Sequence, residues 1–242
     1  ESCLMPAATS AGPAGTILLS GASRGLGLAM VAEFLKRRWN VVGTVQTGGR
    51  TVLHDLVDKH QGRIEVETLD VTQPDQIAAL RARLSGRSFD ILFHNAGIAN
   101  ANPHEPVAKV STEAFVRVMV TNALSPMRVI EELQDLVSAD GLIGIMSSGQ
   151  GSISNNENGG NDLYRGSKAA LNQFMRCYAA RYAEQPRALV LMAPGWIRTT
   201  LGGPDAPFTV EESIPKVVDV LLAQQGKRGL HYLDREGRAV PW

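Results

Sequence analysis

Ser20-Gly21-Ala22-Ser23-Arg24-Gly25-Leu26-Gly27 stands between a short apolar run (residues 16–19) and a helical pattern (residues 25–38). Glycines at 21, 25 and 27 permit a tight turn and let the backbone come close to a bound group. The N–H groups exposed at the following helix start, together with the helix dipole, suit a pyrophosphate. The spacing is GxxxGxG, unlike the GxGxxG of other dinucleotide folds. A glycine-rich turn without a ligand is the plain alternative. The same residues also spell G-x-S-x-G, the nucleophile elbow of an α/β-hydrolase. Ser23 would then be the nucleophile of a serine hydrolase, with His231 and Asp205 or Asp219 as partners. That reading sets the elbow on the first strand and leaves Gly27 without a purpose.

On either side of this turn, apolar runs alternate with longer helical patterns. Residues 16–19, 41–45, 64–69, 89–93, 142–146, 188–192 and 230–233 read as strands. Several are continuously apolar, as strands buried on both faces must be. Helical patterns cover 25–38, 51–60, 74–84, 111–137, 162–184 and 211–225. The alternation predicts an α/β fold on a doubly wound sheet. Arg37 and Arg38 are expected in the last turn of the first helix, with Asn40 as its stop. Pro74 opens the third helix after a Thr72 cap, Ser111 caps the fourth, and Pro126 kinks it.

The 242 residues are 44% hydrophobic and 20% charged, ample for a buried core. Twenty-four basic residues balance twenty-four acidic ones, which gives nucleic-acid or anionic-membrane binding no electrostatic support. No apolar run approaches the ~20 residues that span a bilayer. Cys3 and Cys177 provide neither a disulfide framework nor metal-ligand spacing, so a reducing, cytoplasmic location is expected. His54, His60, His104 and His231 form no ligand-spaced cluster, and no metal site is expected. Residues 1–15 lack a basic and an apolar leader segment, and read as a flexible N-terminal tail with Met5 as a native start. Residues 16–242 read as a single domain.

Tyr164-Arg165-Gly166-Ser167-Lys168 opens the fifth helix. Positions i and i+4 share a helix face, so phenol and ammonium point the same way. An unperturbed Tyr titrates near ~10 and exchanges protons poorly at neutral pH; a neighbouring Lys⁺ favours the phenolate.

With both motifs in one chain, residues 16–242 resemble the short-chain dehydrogenase/reductase family. SGASRGLG stands where that family has TGxxxGxG, Asp70 matches its adenine-contacting acid, and His94-Asn95-Ala96-Gly97 matches its NNAG segment. Asn122, Ser148, Tyr164 and Lys168 match its catalytic tetrad, and Pro194-Gly195-Trp196-Ile197-Arg198-Thr199 its cofactor-touching loop. Residues 154–160, YRGSKAALN and the segment 237–242 resemble the C-factor/sniffer-like carbonyl reductases. The resemblance implies a Rossmann-type, mainly parallel seven-stranded sheet in a three-layer α/β/α sandwich. It implies hydride transfer to an aldehyde or ketone, or the reverse, with Tyr164 as general acid/base. Ser148 would hold the carbonyl oxygen, Lys168 would lower the Tyr164 pKa and hold the nicotinamide ribose, and Asn122 would keep a relay water. Cofactor contacts would come from Gly21, Ser23, Arg24, Gly25, Leu26, Gly27, Asp70, Val71, Asn95, Ala96, Gly97, Tyr164, Lys168, Pro194, Gly195, Ile197 and Thr199. A homodimer or homotetramer through the long helices is implied, with a small-molecule substrate. A non-catalytic dinucleotide sensor would keep the same cradle.

Three departures bear on the chemistry. Ser20 replaces Thr. His94 replaces the first Asn of NNAG and reads as a hydrogen-bonded structural residue. Sixteen residues separate Ser148 from Tyr164, more than the family pattern, so Ser147 competes with Ser148; the SxxG of Ser148-Gly149-Gln150-Gly151 favours the latter. Residues 43–50 after the second strand hold no acid, which removes a barrier to a 2′-phosphate, and Arg24, assisted by Arg50, would attract it. NADP(H) is therefore expected over NAD(H). The short Gly/Pro-rich segment 200–209, with Leu201 and Phe208, predicts an open substrate site.

Overall fold

A strand presents successive side chains to opposite faces, so a continuously apolar run needs cover on both sides. The computed structural model, which describes residues 12–242, supplies that cover. Its strands are β1 Thr16–Ser20, β2 Asn40–Val45, β3 Ile64–Thr68, β4 Phe89–His94, β5 Val137–Met146, β6 Ala188–Ala193 and β7 Gly229–Asp234. They form one sheet in the order β3-β2-β1-β4-β5-β6-β7, with every pairing parallel. The helices are α1 Gly25–Lys36, α2 Val52–Lys59, α3 Pro74–Arg83, α4 Thr112–Met119, α5 Ser125–Leu133, α6 Asp162–Arg181 and α7 Val210–Gln224. Ile17 and Leu19 of β1 join Phe34 of α1, Leu53 of α2 and Val217 of α7 in one core. Leu18, between them, joins Leu80 of α3, Ile130 of α5 and Met175 of α6 in the other. The result is the three-layer, doubly wound Rossmann-type sandwich expected. Among the described residues, no helix is long and apolar enough to cross a membrane.

Several local expectations change. α1 ends at Lys36, because Arg38 takes a left-handed φ of 65° and turns the chain; Asn40 begins β2 instead of stopping the helix. Thr72 does not cap α3. Gln73 holds that position without a side-chain bond, while the Thr72 N–H and hydroxyl both donate to Asp70 Oδ1. The single long helix at 111–137 is interrupted. α4, capped as expected by Ser111 Oγ, passes into a π turn, Val120–Leu124, and then α5. Pro126 lies in the first turn of α5, directly after the π turn, where its missing N–H is tolerated. A 3₁₀ turn closes α5, and β5 starts at Val137, earlier than the apolar run suggested. Of the expected tail, residues 1–11, with Cys3 and Met5, lie outside the described residues. Its end is tied down: the Ala14 N–H donates to Arg38 O, and the Asn40 N–H to Gly15 O.

β1 pairs with β2 on one side and β4 on the other. The chain crosses over in opposite directions from this pair, which opens a crevice at the carboxyl ends of the strands. Ser20, His94 and Met146 stand at that edge.

Candidate active site

The glycine turn is bolted to the strands around it. Gly21 has φ 75° and Gly25 φ 56°, conformations open to glycine. A Cβ on Gly21 would lie 2.8 Å from Ala96 N, and one on Gly27 would overlap the Gly21 carbonyl. The Gly21 N–H donates to Thr44 Oγ1 at 3.2 Å, the Ala22 N–H to Thr44 O at 2.8 Å, and Asn95 Nδ2 to Gly21 O at 3.0 Å. The start of α1 has no side-chain cap and no acid in its first turn. Its free N–H groups and positive end therefore face the cradle. These residues fit a dinucleotide pyrophosphate.

Just beyond β3, burial pushes Asp70 up, but the two hydrogen bonds from Thr72 outweigh it and hold the carboxyl below its ordinary range. Gln46 Nε2, at 3.5 Å, faces the other carboxylate oxygen. Val71 is buried beside it. Arg24 is exposed at the mouth of the cradle. Arg50, its expected assistant, is paired on the surface with Asp55 and Asp58 at 2.7 and 2.8 Å.

The four tetrad candidates converge at the same edge. Asn122 is fully buried within the π turn. Its Nδ2 donates to Ile98 O (2.7 Å) and Ser167 Oγ (3.0 Å), and its Oδ1 accepts the Ile98 N–H (2.9 Å). The buried Lys168 donates to Met146 O at 2.9 Å, with Nζ 5.8 Å from the centre of the Tyr164 ring. Burial lowers Lys168 to about 8. The Tyr164 phenol, sunk among protein atoms, is pushed up to about 12, partly offset by the Ser148 hydroxyl. The expected lowering of Tyr164 by Lys168 is thus absent from this state, because desolvation dominates. Ser147 is buried and donates to Asn172 Oδ1 at 2.7 Å. Ser148 is more open; its Oγ accepts the Gln150 N–H at 3.1 Å and its hydroxyl faces the Tyr164 phenol. A Cβ on Gly97 would lie 3.5 Å from both Lys168 Nζ and Asn122 Oδ1, so the NAG segment borders the same space.

His94 is 1% exposed, with Nδ1 2.8 Å from Ser20 Oγ. Burial, then the nearby Lys168 charge, lowers it to about 3. It is a neutral structural group, as the sequence suggests.

The segment after β6 is stapled rather than loose. Ile197 bridges Phe208, Arg198 Nε donates to Ala206 O at 2.7 Å, and Trp196 Nε1 donates to Gly202 O at 2.6 Å. Phe208 lies under the Arg235 guanidinium, which sits 3.5 Å from its ring centre and fastens the loop. Thr199 Oγ1 accepts the Gly202 N–H at 3.0 Å. Pro194 and Ile197 are buried, and Gly195 has φ 92°. Trp196 and Leu201 are the exposed apolar groups here, and Trp196 was not singled out from sequence.

The hydrolase arrangement does not assemble. Ser23 follows β1 and His231 lies on β7, four strand spacings away, roughly 19 Å at the usual separation. Asp219 is paired with Arg37 at 2.5 Å. Among the described residues, no cluster of His, Cys, Asp or Glu could hold a metal ion.

A family model described as enoyl-(acyl carrier protein) reductase, of the short-chain dehydrogenase/reductase type, matches residues 21–214. The chain belongs to the short-chain dehydrogenase/reductase family. A solved member, a short-chain dehydrogenase/reductase from Burkholderia multivorans with bound NADP, is 64% identical. The match covers 96% of this chain and all of that one, with a TM-score of 0.93. The carbonyl reductase Sniffer of D. melanogaster is 26% identical over 94% of this chain and 99% of its own, with a TM-score of 0.85. The C-signal protein of Myxococcus xanthus is 30% identical over 155 residues, 63% of this chain and 92% of its own. Membership makes the protein an oxidoreductase of the nicotinamide-dinucleotide class.

Proposed function

We propose that the protein is an NADP(H)-dependent carbonyl reductase that converts an aldehyde or ketone to the alcohol, or runs the reverse oxidation. The observation that carries this reading is the convergence of Tyr164, Ser148 and Lys168 beside the glycine cradle at one edge of the sheet. When bound, the dinucleotide supplies or accepts the hydride. Gly21, Ser23, Arg24, Gly25, Leu26 and Gly27 would hold its phosphates, and Asp70 and Val71 its adenine. Asn95, Ala96, Gly97, Lys168, Pro194, Gly195, Ile197 and Thr199 would line the nicotinamide end.

Tyr164, kept protonated by burial, gives its Oη proton to the substrate oxygen. Ser148, beside the Tyr164 phenol, donates its proton to the same oxygen and fixes its position. Lys168, charged at neutral pH, favours the phenolate as the proton leaves. Both Asn122 amide hydrogens are engaged, so a relay water would be held by an acceptor, the Asn122 Oδ1 or a main-chain carbonyl of the π turn. NADP preference is supported by the acid-free stretch after β2, by the exposed Arg24, and by the NADP bound in the Burkholderia relative. The exposed apolar Phe115, Val116, Leu124 and Phe174 on α4 to α6 suit a homodimer or homotetramer face.

Following nicotinamide absorbance across a panel of reactive carbonyls tests this function. Tyr164→Phe should lower kcat by ~10²–10⁴ with cofactor binding retained, and Ser23→Ala should leave turnover within a few-fold. The reverse pattern overturns the reading, and binding without any turnover would make the protein a sensor.

A further inference from the structure

We propose that Tyr232 of β7 is a positioning residue for Ser148: by holding the Ser148 carbonyl, its hydroxyl aims the serine side chain at the substrate oxygen. This rests on the reading of Ser148 as the donor to that oxygen.

Ser148 leaves β5 as the N-cap of a single 3₁₀ turn, Gly149–Gly151. One such turn is weak by itself. Its internal support is the Gln150 N–H on Ser148 Oγ and the Gly151 N–H on Ser148 O, at 3.1 and 2.9 Å. The external support comes from β7, two strands along the sheet, where the Tyr232 hydroxyl donates to the same Ser148 carbonyl. Tyr232 is 3% exposed, and burial holds its phenol above the ordinary range, which keeps it a donor. Its ring is wedged in place by Trp242, 5.2 Å away between centres, and the Arg176 guanidinium covers Trp242 at 4.7 Å. The Trp242 main-chain oxygen in turn accepts the Ser154 N–H (2.9 Å) and the Ser152 hydroxyl (3.3 Å). The segment 148–154 is therefore pinned at both ends by one aromatic pair. Removing the Tyr232 hydroxyl frees the Ser148 peptide to rotate, and its Oγ swings with it.

Tyr232→Phe keeps the ring against Trp242 and deletes the hydroxyl, which also faces the Ser147 and Asn172 side chains. We expect kcat for carbonyl reduction to fall about tenfold, a small misplacement effect, with KM for NADPH unchanged. In a Ser148→Ala background the same substitution should have no further effect. An unchanged kcat, or an equal loss in both backgrounds, overturns the proposal. Hydrogen exchange supplies a readout that needs no turnover. The Gln150 and Gly151 amides should exchange about tenfold faster in Tyr232→Phe, while those of α1 stay as in wild type. Unchanged exchange at 150 and 151 overturns the proposal even if the protein reduces no carbonyl, an outcome that would separately remove the role given to Ser148.

Discussion

At His94 a ring replaces the family's amide, and the fold accommodates it only as the neutral form. Buried against Ser20 and near the Lys168 charge, the imidazole is lowered to about 3 from an ordinary 6.5. As pH falls below 6.5, the unfolded chain takes up a proton that the native state refuses until about 3. The stabilisation is thus complete above 6.5 and is lost progressively below it. His94→Asn should flatten the acid limb, closing the gap to wild type by ~2–3 kcal/mol in urea unfolding between pH 7.5 and 4.5. Parallel profiles would contradict this. Arg24 carries a second residue-scale prediction. Losing one charge-assisted phosphate contact in Arg24→Ala should weaken NADPH by ~1.5–3 kcal/mol and NADH little, as read by titration with each. Equal weakening, or equal wild-type affinities, would remove the NADP preference.

Among the elements, the strands and most helix boundaries were legible because apolar runs and cap residues encode them locally. The π turn was not. Pro126 announced a disturbance, but its form depends on Asn122, whose amide satisfies the backbone of Ile98, 24 positions earlier. No local pattern carries such a contact. The early start of β5 was hidden for a similar reason, since polar Ser138 and Asp140 join the strand at its exposed entrance. Asn122→Ala should leave the Ile98 N–H and C=O without partners and cost ~2–3 kcal/mol in unfolding free energy. A loss below ~0.5 kcal/mol would mean that the π turn stands without the amide.

Over the whole molecule, the parallel order β3-β2-β1-β4-β5-β6-β7 gathers the cradle after β1, the NAG segment after β4, the serines after β5 and the loop after β6 along one edge. The sequence showed these motifs singly, and their order suggested the gathering. What it did not show is the support from distant elements: Thr44 beneath Gly21, Gln46 beside Asp70, and Tyr232 behind Ser148. Thr44 and Tyr232 are ordinary polar residues of their strands and Gln46 follows β2, and each acquires meaning only from the sheet order. The stapling of the loop after β6 likewise draws on Arg235, far along the chain, which stacks on Phe208. On the proposed function, this edge carries a hydride between a dinucleotide and a carbonyl carbon. The direct measurement uses NADPH deuterated at both C4 positions with a reactive aldehyde, followed by mass spectrometry of the product. The account predicts one deuterium on the carbinol carbon of the alcohol; an alcohol without deuterium, or no alcohol from any carbonyl supplied, would contradict it.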